Sequence, residues 1–415
     1  MCNSPDLKLS LKLPDSEIGD TFTKTANEQV KKYPYTIYTC VQCGHVQCHD
    51  VLEQSELFGH DYSYTPSYSK KLESHFDFYA NKLASVSNAK NLNEETSLAI
   101  DIGSNDGLFL RCLKKRLPVD VLGIEPAEAP RAFSEHNGIP AIDSFFSSAL
   151  AKDLKEQIAR KGQKVNFVSA NNVFAHCDNL QDFAKGISEL LDDDGIFCFE
   201  ISYLVDIINK ALIGVFFHEH LSHHALLPLD RFLRTYNLFL FDAIEVDQQG
   251  GALICFARKS KVINNDQCLK SERLKQLFEI ETDMKLDTCE SGRLLEKSLI
   301  ASQARVHQIL DNLKSENKRI GYFGASRSLS MLSAFYNLTS YGSIIIDDNP
   351  NKVGKYLPNS DLRVVRIDES KLEELDCILI TAWVPAQIIL EKLVDDNRFN
   401  GKAIKLNPEC VVVQC

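Results

Sequence analysis

Much is missing from this chain of 415 residues. Its start, MCNSPDLKLSLKLPDSEIGD, has no basic opening, no apolar run and no small-residue cleavage site, so no secretory signal is expected. The longest apolar stretch, CILITAWVPAQIIL, is shorter than the roughly 18 residues a bilayer span needs, and it carries Thr381 and Pro385. No membrane partner is expected. Positive charge is in deficit: 46 Lys and Arg face 57 Asp and Glu, a net charge of -11. Nucleic-acid binders usually present a basic face, so no nucleic-acid partner is expected either. A disulfide framework is excluded in the same way, because 13 cysteines scattered through a chain without a secretory signal read as reduced thiols with room for one metal cluster. Internal repeats and low-complexity tracts are lacking. Together these absences predict a cytoplasmic protein.

What is present is ordinary globular material, 44% hydrophobic and 25% charged, in a chain long enough for two or three domains. Residues 1–90 are polar and loop-rich, with one CxxC pair. From about residue 91 to 260, short apolar runs (LAIDIG, VLGIEP, VNFVSANN, GIFCFEIS, LFLFDAIEV, ALICFAR) alternate with amphipathic stretches, which predicts a mainly parallel sheet covered on both faces. Residues 261–316 have helical periodicity and read as a connector. A second α/β series, RIGYFGA, SIIIDD, CILITAW and AIKLN, occupies residues 317–415. The fold class expected is α/β, with two Rossmann-like units.

The segment LAIDIGSNDGLFL, residues 98–110, reads as strand, glycine turn and helix start. Gly103 and Gly107 allow a tight turn and close backbone approach, and the helix N-terminus offers free N–H groups. The dinucleotide pattern GxGxxG is lacking. About twenty residues further on, VLGIEP puts Glu125 at the end of the next strand, where a carboxylate can accept both hydroxyls of a ribose.

This turn and acid resemble the S-adenosylmethionine site of class I methyltransferases. The order of CVQCGHVQ, DYSYTPSYS, DIGSNDG, GIEPAEAP, SANNVFAHCDN, FEISYL, FHEHLSHH, QGGALI, GYFGASRSLS and DDNPNKVGKYLP resembles the sugar C-methyltransferases that act on nucleotide-linked 4-keto-deoxysugars. The resemblance implies a methyltransferase domain between a small N-terminal zinc lobe and a C-terminal Rossmann-like domain. It assigns S-adenosylmethionine to Asp101, Gly103, Ser104, Asn105, Glu125, Asn171 and Asn172. It matches His220 to the general base, Glu219 to its neighbouring acid and His176 to a second active-site histidine. Tyr62 and Tyr64 match tyrosines laid over the sugar, Tyr64 with a catalytic part. Three positions in two motifs depart from the family pattern: Phe217 stands where Tyr is common, and Gln249 and Ala252 replace His and Ser of HGGS.

Methylating carbon beside a ketone needs a base for the α-proton and donors for the enolate oxygen, and histidine suits the first task. A zincin reading of FHEHLSHH fails, because HExxH would need histidines at 218 and 222 and position 222 is Ser. His220 and His224, i and i+4, could share a helix face; His223 and His224 are expected in solvent. The better metal candidate is Cys40 with Cys43, a CxxCG knuckle that can hold zinc. Cys2 matches a further family cysteine; either the fourth ligand comes from elsewhere, such as Cys48 or a histidine, or the site is degenerate. At GYFGASRSLS, Ser326 and Arg327 can hold a substrate diphosphate. The expected activity is carbon methylation of a nucleotide sugar by a monomer or homodimer. The alternatives are O- or N-methyl transfer to a related sugar, or a silent binding protein of the same fold.

Overall fold

Leucine alternates with polar residues in LKLSLKL, a period of two that suits a strand with one covered face. In the computed structural model, which describes residues 1–57, 70–87, 91–193, 195–260, 270–396, 398–406 and 410–415, this segment lies in β1 (Leu7–Ser16). β1 pairs antiparallel with β2 (Tyr33–Cys40), and β2 pairs with β3 (Val46–Cys48). The loop-rich N-terminal segment expected from its polarity is therefore in large part a sheet. Polar residues are interspersed through β1 and β2, and β3 has only three residues, so no continuous hydrophobic run marks them.

The middle of the chain follows the expected alternation. β4 (Ser97–Ile102), β5 (Asp120–Ile124), β6 (Ala141–Ile142), β7 (Lys164–Asn171) and β8 (Ile196–Ser202) are parallel neighbours. Every residue of β4 is buried, as in a parallel sheet covered on both faces. The two-residue β9 (Ser222–His223) leaves this unit and pairs with β3, so the N-terminal sheet is completed by the HEHLSHH segment. β10 (Leu238–Val246) and β11 (Ala252–Lys259) then add an antiparallel edge, giving the order β10-β11-β8-β7-β4-β5-β6.

The expected connector is helical, Glu272–Asp283 and Glu290–Ser315. It also backs the N-terminal sheet: Ser291 Oγ donates to the Gly44 carbonyl at 2.8 Å. A Cβ at Gly292 would meet Ser10 Oγ and Thr39 Oγ1 at 2.1 Å, so only glycine lets the helix come this close. The last unit holds β12 (Ile320–Phe323), β13 (Ile344–Ile346), β14 (Arg363–Val365), β15 (Cys377–Ile380), β16 (Lys402–Lys405) and β17 (Val411–Gln414). Their order is β14-β13-β12-β15-β16-β17, parallel except for β17. Among the described residues no helix is long and apolar enough to cross a membrane.

Candidate active site

Backbone strain marks the turn after β4. Gly103, Asn105 and Gly107 have φ of 66°, 48° and 72°, and the helix Leu108–Lys114 starts at once. A Cβ at Gly103 would lie 2.5 Å from Val173 Cγ2. Glu125, at the end of β5, is nearly buried, and burial raises its pKa. Its Oε2 accepts from Asn105 N at 2.9 Å and its Oε1 from Ala127 N at 2.8 Å. A carboxylate offers about four lone-pair sites, so acceptor capacity remains for a ribose diol.

Beside this turn the ends of β4 and β7 meet. Ser169 Oγ donates to Asp101 Oδ1 at 2.6 Å and Asn171 Nδ2 at 3.3 Å, while burial pushes the Asp101 carboxyl up to about 7. Ser104 Oγ and Asn171 Oδ1 are buried without a hydrogen-bond partner. Two stranded polar atoms beside a glycine that leaves no room for a Cβ are a cradle for a polar ligand, and they fit the amino-acid end of S-adenosylmethionine. Asn172, with φ of 57°, is turned the other way: its Nδ2 donates to Glu200 Oε1 at 3.1 Å. Glu200 Oε2 is paired with His75 of the helix Lys70–Val86, a buried contact that no sequence pattern announced.

The short 3-10 turn Phe174–His176 follows β7, and Leu221 N donates to the Ala175 carbonyl at 2.8 Å. That bond seats FHEHLSHH over the carboxyl ends of the strands, where open α/β sheets bind ligands. The segment is not a helix, so His220 and His224 share no helix face. It is a tight turn, with His220 N bonded to the Phe217 carbonyl at 2.8 Å, running into β9. His220 and His176 meet edge to face, ring centroids 4.9 Å apart, and the Phe217 ring lies 4.0 Å from that of His220. His220 Nδ1 is 2.7 Å from the Val215 carbonyl. A carbonyl can only accept, so Nδ1 carries the proton and Nε2 keeps a lone pair. Burial brings the His220 pKa down to about 4, helped by the Arg327 charge and opposed by Val215.

Glu219 is nearly buried, its pKa pushed up to about 7 by burial and drawn back by Arg327, whose Nη1 lies 2.5 Å from Glu219 Oε2. Arg327 Nε is 3.6 Å from Asp20 Oδ2. The guanidinium expected at a diphosphate is thus turned toward Glu219. Ser326 Oγ lies 3.1 Å from Ser328 Oγ and 3.3 Å from the Thr381 carbonyl.

His223 and His224 require a correction: both are buried, not solvated. His223 Nε2 lies 3.2 Å from Tyr35 Oη, and the His224 ring stacks between Phe174 and His45. Strand pairing with β3 draws both residues under the N-terminal sheet. Tyr62 and Tyr64 lie outside the described residues.

Cys2, Cys40 and Cys43 do converge, their Sγ atoms all within 4.8 Å of one another. Three thiols at that spacing fit the donor set of zinc. Cys48 stands apart, its Sγ facing the Asp50 carbonyl at 3.6 Å. Among the described residues no fourth His, Cys, Asp or Glu joins the three.

Three domain families match the chain in series. They are described as a zinc binding domain over residues 1–58, a methyltransferase domain over 74–239 and a C-methyltransferase C-terminal domain over 247–408. The C-methyltransferase NovU of Streptomyces niveus is 24% identical over 382 residues, 92% of this chain and 88% of that one. Among solved structures, magnesium protoporphyrin IX methyltransferase of Synechocystis PCC 6803 with bound S-adenosylhomocysteine overlaps 48% of this chain and 90% of its own, at 13% identity and a TM-score of 0.35. The 1,6-didemethyltoxoflavin-N1-methyltransferase of Burkholderia thailandensis overlaps 52% and 96%, at 12% identity and a TM-score of 0.33.

Proposed function

From the premise that this chain belongs to the S-adenosylmethionine-dependent C-methyltransferases and has their class I fold, we propose that it methylates a carbon beside the ketone of a nucleotide-linked keto-deoxysugar. His220 is the base in this reading. The observation that carries it is the His220 tautomer: Nδ1–H is spent on the Val215 carbonyl at 2.7 Å, which leaves Nε2 as a proton acceptor.

The cofactor, when bound, supplies a methyl group on a positively charged sulfur. Asp101, Gly103, Ser104, Asn105, Glu125 and Asn171 would hold it at the carboxyl ends of β4, β5 and β7. His220 Nε2 takes the α-proton and the electrons of that C–H bond move toward the ketone to give the enolate, whose carbon would bond the methyl as the sulfur–methyl bond breaks and leaves its electron pair on a neutral sulfur. The proton on His220 then returns to solvent. His176, whose ring meets that of His220, is the group proposed to donate to the enolate oxygen. Phe217 gives the base an apolar wall in place of a hydroxyl. Ser326, on the C-terminal unit, is proposed to meet the diphosphate, and Tyr62 and Tyr64 to cover the sugar.

The test is His220→Ala with a nucleotide keto-sugar, using S-adenosylmethionine for methyl transfer and S-adenosylhomocysteine for binding and for exchange. The variant should bind the homocysteine product normally but lose both methyl transfer and solvent deuterium exchange at the α-carbon. Exchange at the wild-type rate would move the base elsewhere, first to His176. A wild-type product methylated on oxygen or nitrogen, without exchange, would overturn the enolate step.

A further inference from the structure

The turn that bears His220 is gripped from outside the methyltransferase unit. Glu219 sits inside the turn closed by His220 N and the Phe217 carbonyl, and its nearly buried carboxylate reaches Arg327 Nη1 at 2.5 Å. Arg327 stands on the turn after β12, more than a hundred positions further along the chain. Its Nε faces Asp20 Oδ2 at 3.6 Å, Asp20 pairs with Lys352, and Lys352 Nζ donates to the Ala325 carbonyl at 2.7 Å. A Cβ on Gly19 would meet the Arg327 carbonyl oxygen at 2.6 Å, so the N-terminal segment is packed directly on this turn. Glu219, Arg327, Asp20 and Lys352 thus form one chain of alternating charge across all three parts of the molecule.

We propose that Arg327 is the positioning residue of the base: through Glu219 it holds the turn at residues 217–221 and thereby seats His220 only when the C-terminal unit is docked. The geometry favours this over a plain surface pair because the Glu219 carboxylate is 2% exposed. A buried carboxylate without its cation takes up a proton or leaves its site. In either case the central residue of the turn loses its anchor. The same cation also tunes the base. Arg327 lowers the proton affinity of His220 and of His176. Among the described residues, the other groups near His220 are His176 on the 3-10 turn, His223 in β9 and His224 next to it, the Val215 carbonyl, and Tyr35, which donates to the His220 carbonyl. Burial holds His176, His223 and His224 below the ordinary histidine range, so they are neutral near pH 7. Among the described residues Arg327 is the cation whose charge acts on the base.

The inference rests on the reading of His220 as base, and its test separates the two. The full chain is compared with Arg327→Met, Arg327→Lys and Glu219→Gln; the last keeps volume and hydrogen bonding if the methionine variant folds poorly. The first readout is the His220 titration midpoint by NMR in the free protein, assigned with His220→Asn, which needs no substrate. Arg327→Met should raise that midpoint, and Arg327→Lys should keep it near wild type. The second readout is methyl transfer. Misplacing the base should lower kcat by roughly 100-fold or more in Arg327→Met, with KM for the nucleotide sugar within about threefold and partial recovery in Arg327→Lys. Glu219→Gln combined with Arg327→Met should be no worse than the poorer single variant. If Arg327→Met raises KM alone and leaves both kcat and the His220 midpoint unchanged, Arg327 is a substrate ligand and the proposal is overturned. If His220→Ala stays active while Arg327→Met still shifts the midpoint, the base assignment fails and the clamp stands.

Discussion

Among the described residues His224 is a buried imidazole held mainly by ring stacking. Its ring stacks on Phe174 at 5.1 Å and 11° and on His45 at 5.6 Å and 29°, and neither ring nitrogen makes a full hydrogen bond. Burial brings its pKa down to about 3. Removing a stranded polar group in favour of an apolar ring of similar shape recovers its desolvation cost, so His224→Phe should stabilise the protein by about 1–3 kcal/mol. The sign with pH follows from linkage. A folded pKa below the unfolded one means that the unfolded chain binds the extra proton as pH falls, and stability is lost on the acid side. The gain in melting temperature should therefore be larger at pH 5 than at pH 7; a lower melting temperature at both would sink this account. At the cofactor turn, Glu125→Ala should weaken S-adenosylhomocysteine binding by about 1.5–3 kcal/mol, the worth of hydrogen bonds to a charged group. Calorimetric titration checks it, and unchanged affinity would remove Glu125 from the site.

Two elements carry chemistry through their backbone. The turn at residues 103–107 needs φ of 66° at Gly103, and an added Cβ would strike Val173 at 2.5 Å. Gly103→Ala should cost about 1–2 kcal/mol from the left-handed conformation alone, and more with the clash, together with weaker cofactor binding. Equilibrium unfolding and titration of the same variant measure both effects, and a variant as stable as wild type would refute the strain. The second element is the hairpin of β2 and β3, with Cys40 at the end of β2 and Cys43 in the turn. Its far strand pairs with β9 through Val46 with His223 and Gln47 with Ser222, two residues beyond His220. A zinc ion on Cys2, Cys40 and Cys43 would tie down one end of the sheet that supports the base. Strong chelation, or Cys43→Ser, should lower the melting temperature in step with bound zinc measured by elemental analysis, by about 1–3 kcal/mol in the variant. A metal-free protein of unchanged stability would show that the cluster is no zinc site.

At the scale of the whole molecule, opposing titrations shape stability. Among the described residues His45, His176, His218, His220, His223 and His224 are all held below the ordinary histidine value, with burial as the first cause. Asp101, Glu219 and Glu281 are pushed up to about 7, and Glu125 is raised, again by burial. Lowered histidines lose stability as pH falls below about 6.5, because the unfolded chain protonates first. Raised carboxyls act in the opposite sense: their stabilisation is full in acid and lost as pH rises toward 7. The histidines are more numerous, so unfolding free energy should rise from about pH 4.5 to 6.5 and level off near 7. Denaturant titrations across that range test the balance, and a stability maximum below pH 5 would contradict it.

By itself the sequence determined the local patterns: buried strands as apolar runs, the strand-turn-helix of LAIDIGSNDGLFL, the acid at residue 125, and the second α/β series from residue 319 on. These are legible because periodicity and glycine placement act over a few residues, where neighbours in sequence are neighbours in space. The first sheet was legible only in part: LKLSLKL alternates as a strand does, but the surrounding polarity reads as loop, and β3 has three residues and β9 two, too few to show a period. The burial of His223 and His224, which strand pairing imposes, was not legible, nor was the turn in FHEHLSHH, where helical spacing was equally compatible with the letters. Cys2 meets Cys40 across 38 positions, and Glu219 meets Arg327 across 108. Only the tertiary structure decided those meetings, because a charge or a thiol has no directional signature in sequence and its partner is chosen by how the sheets stack.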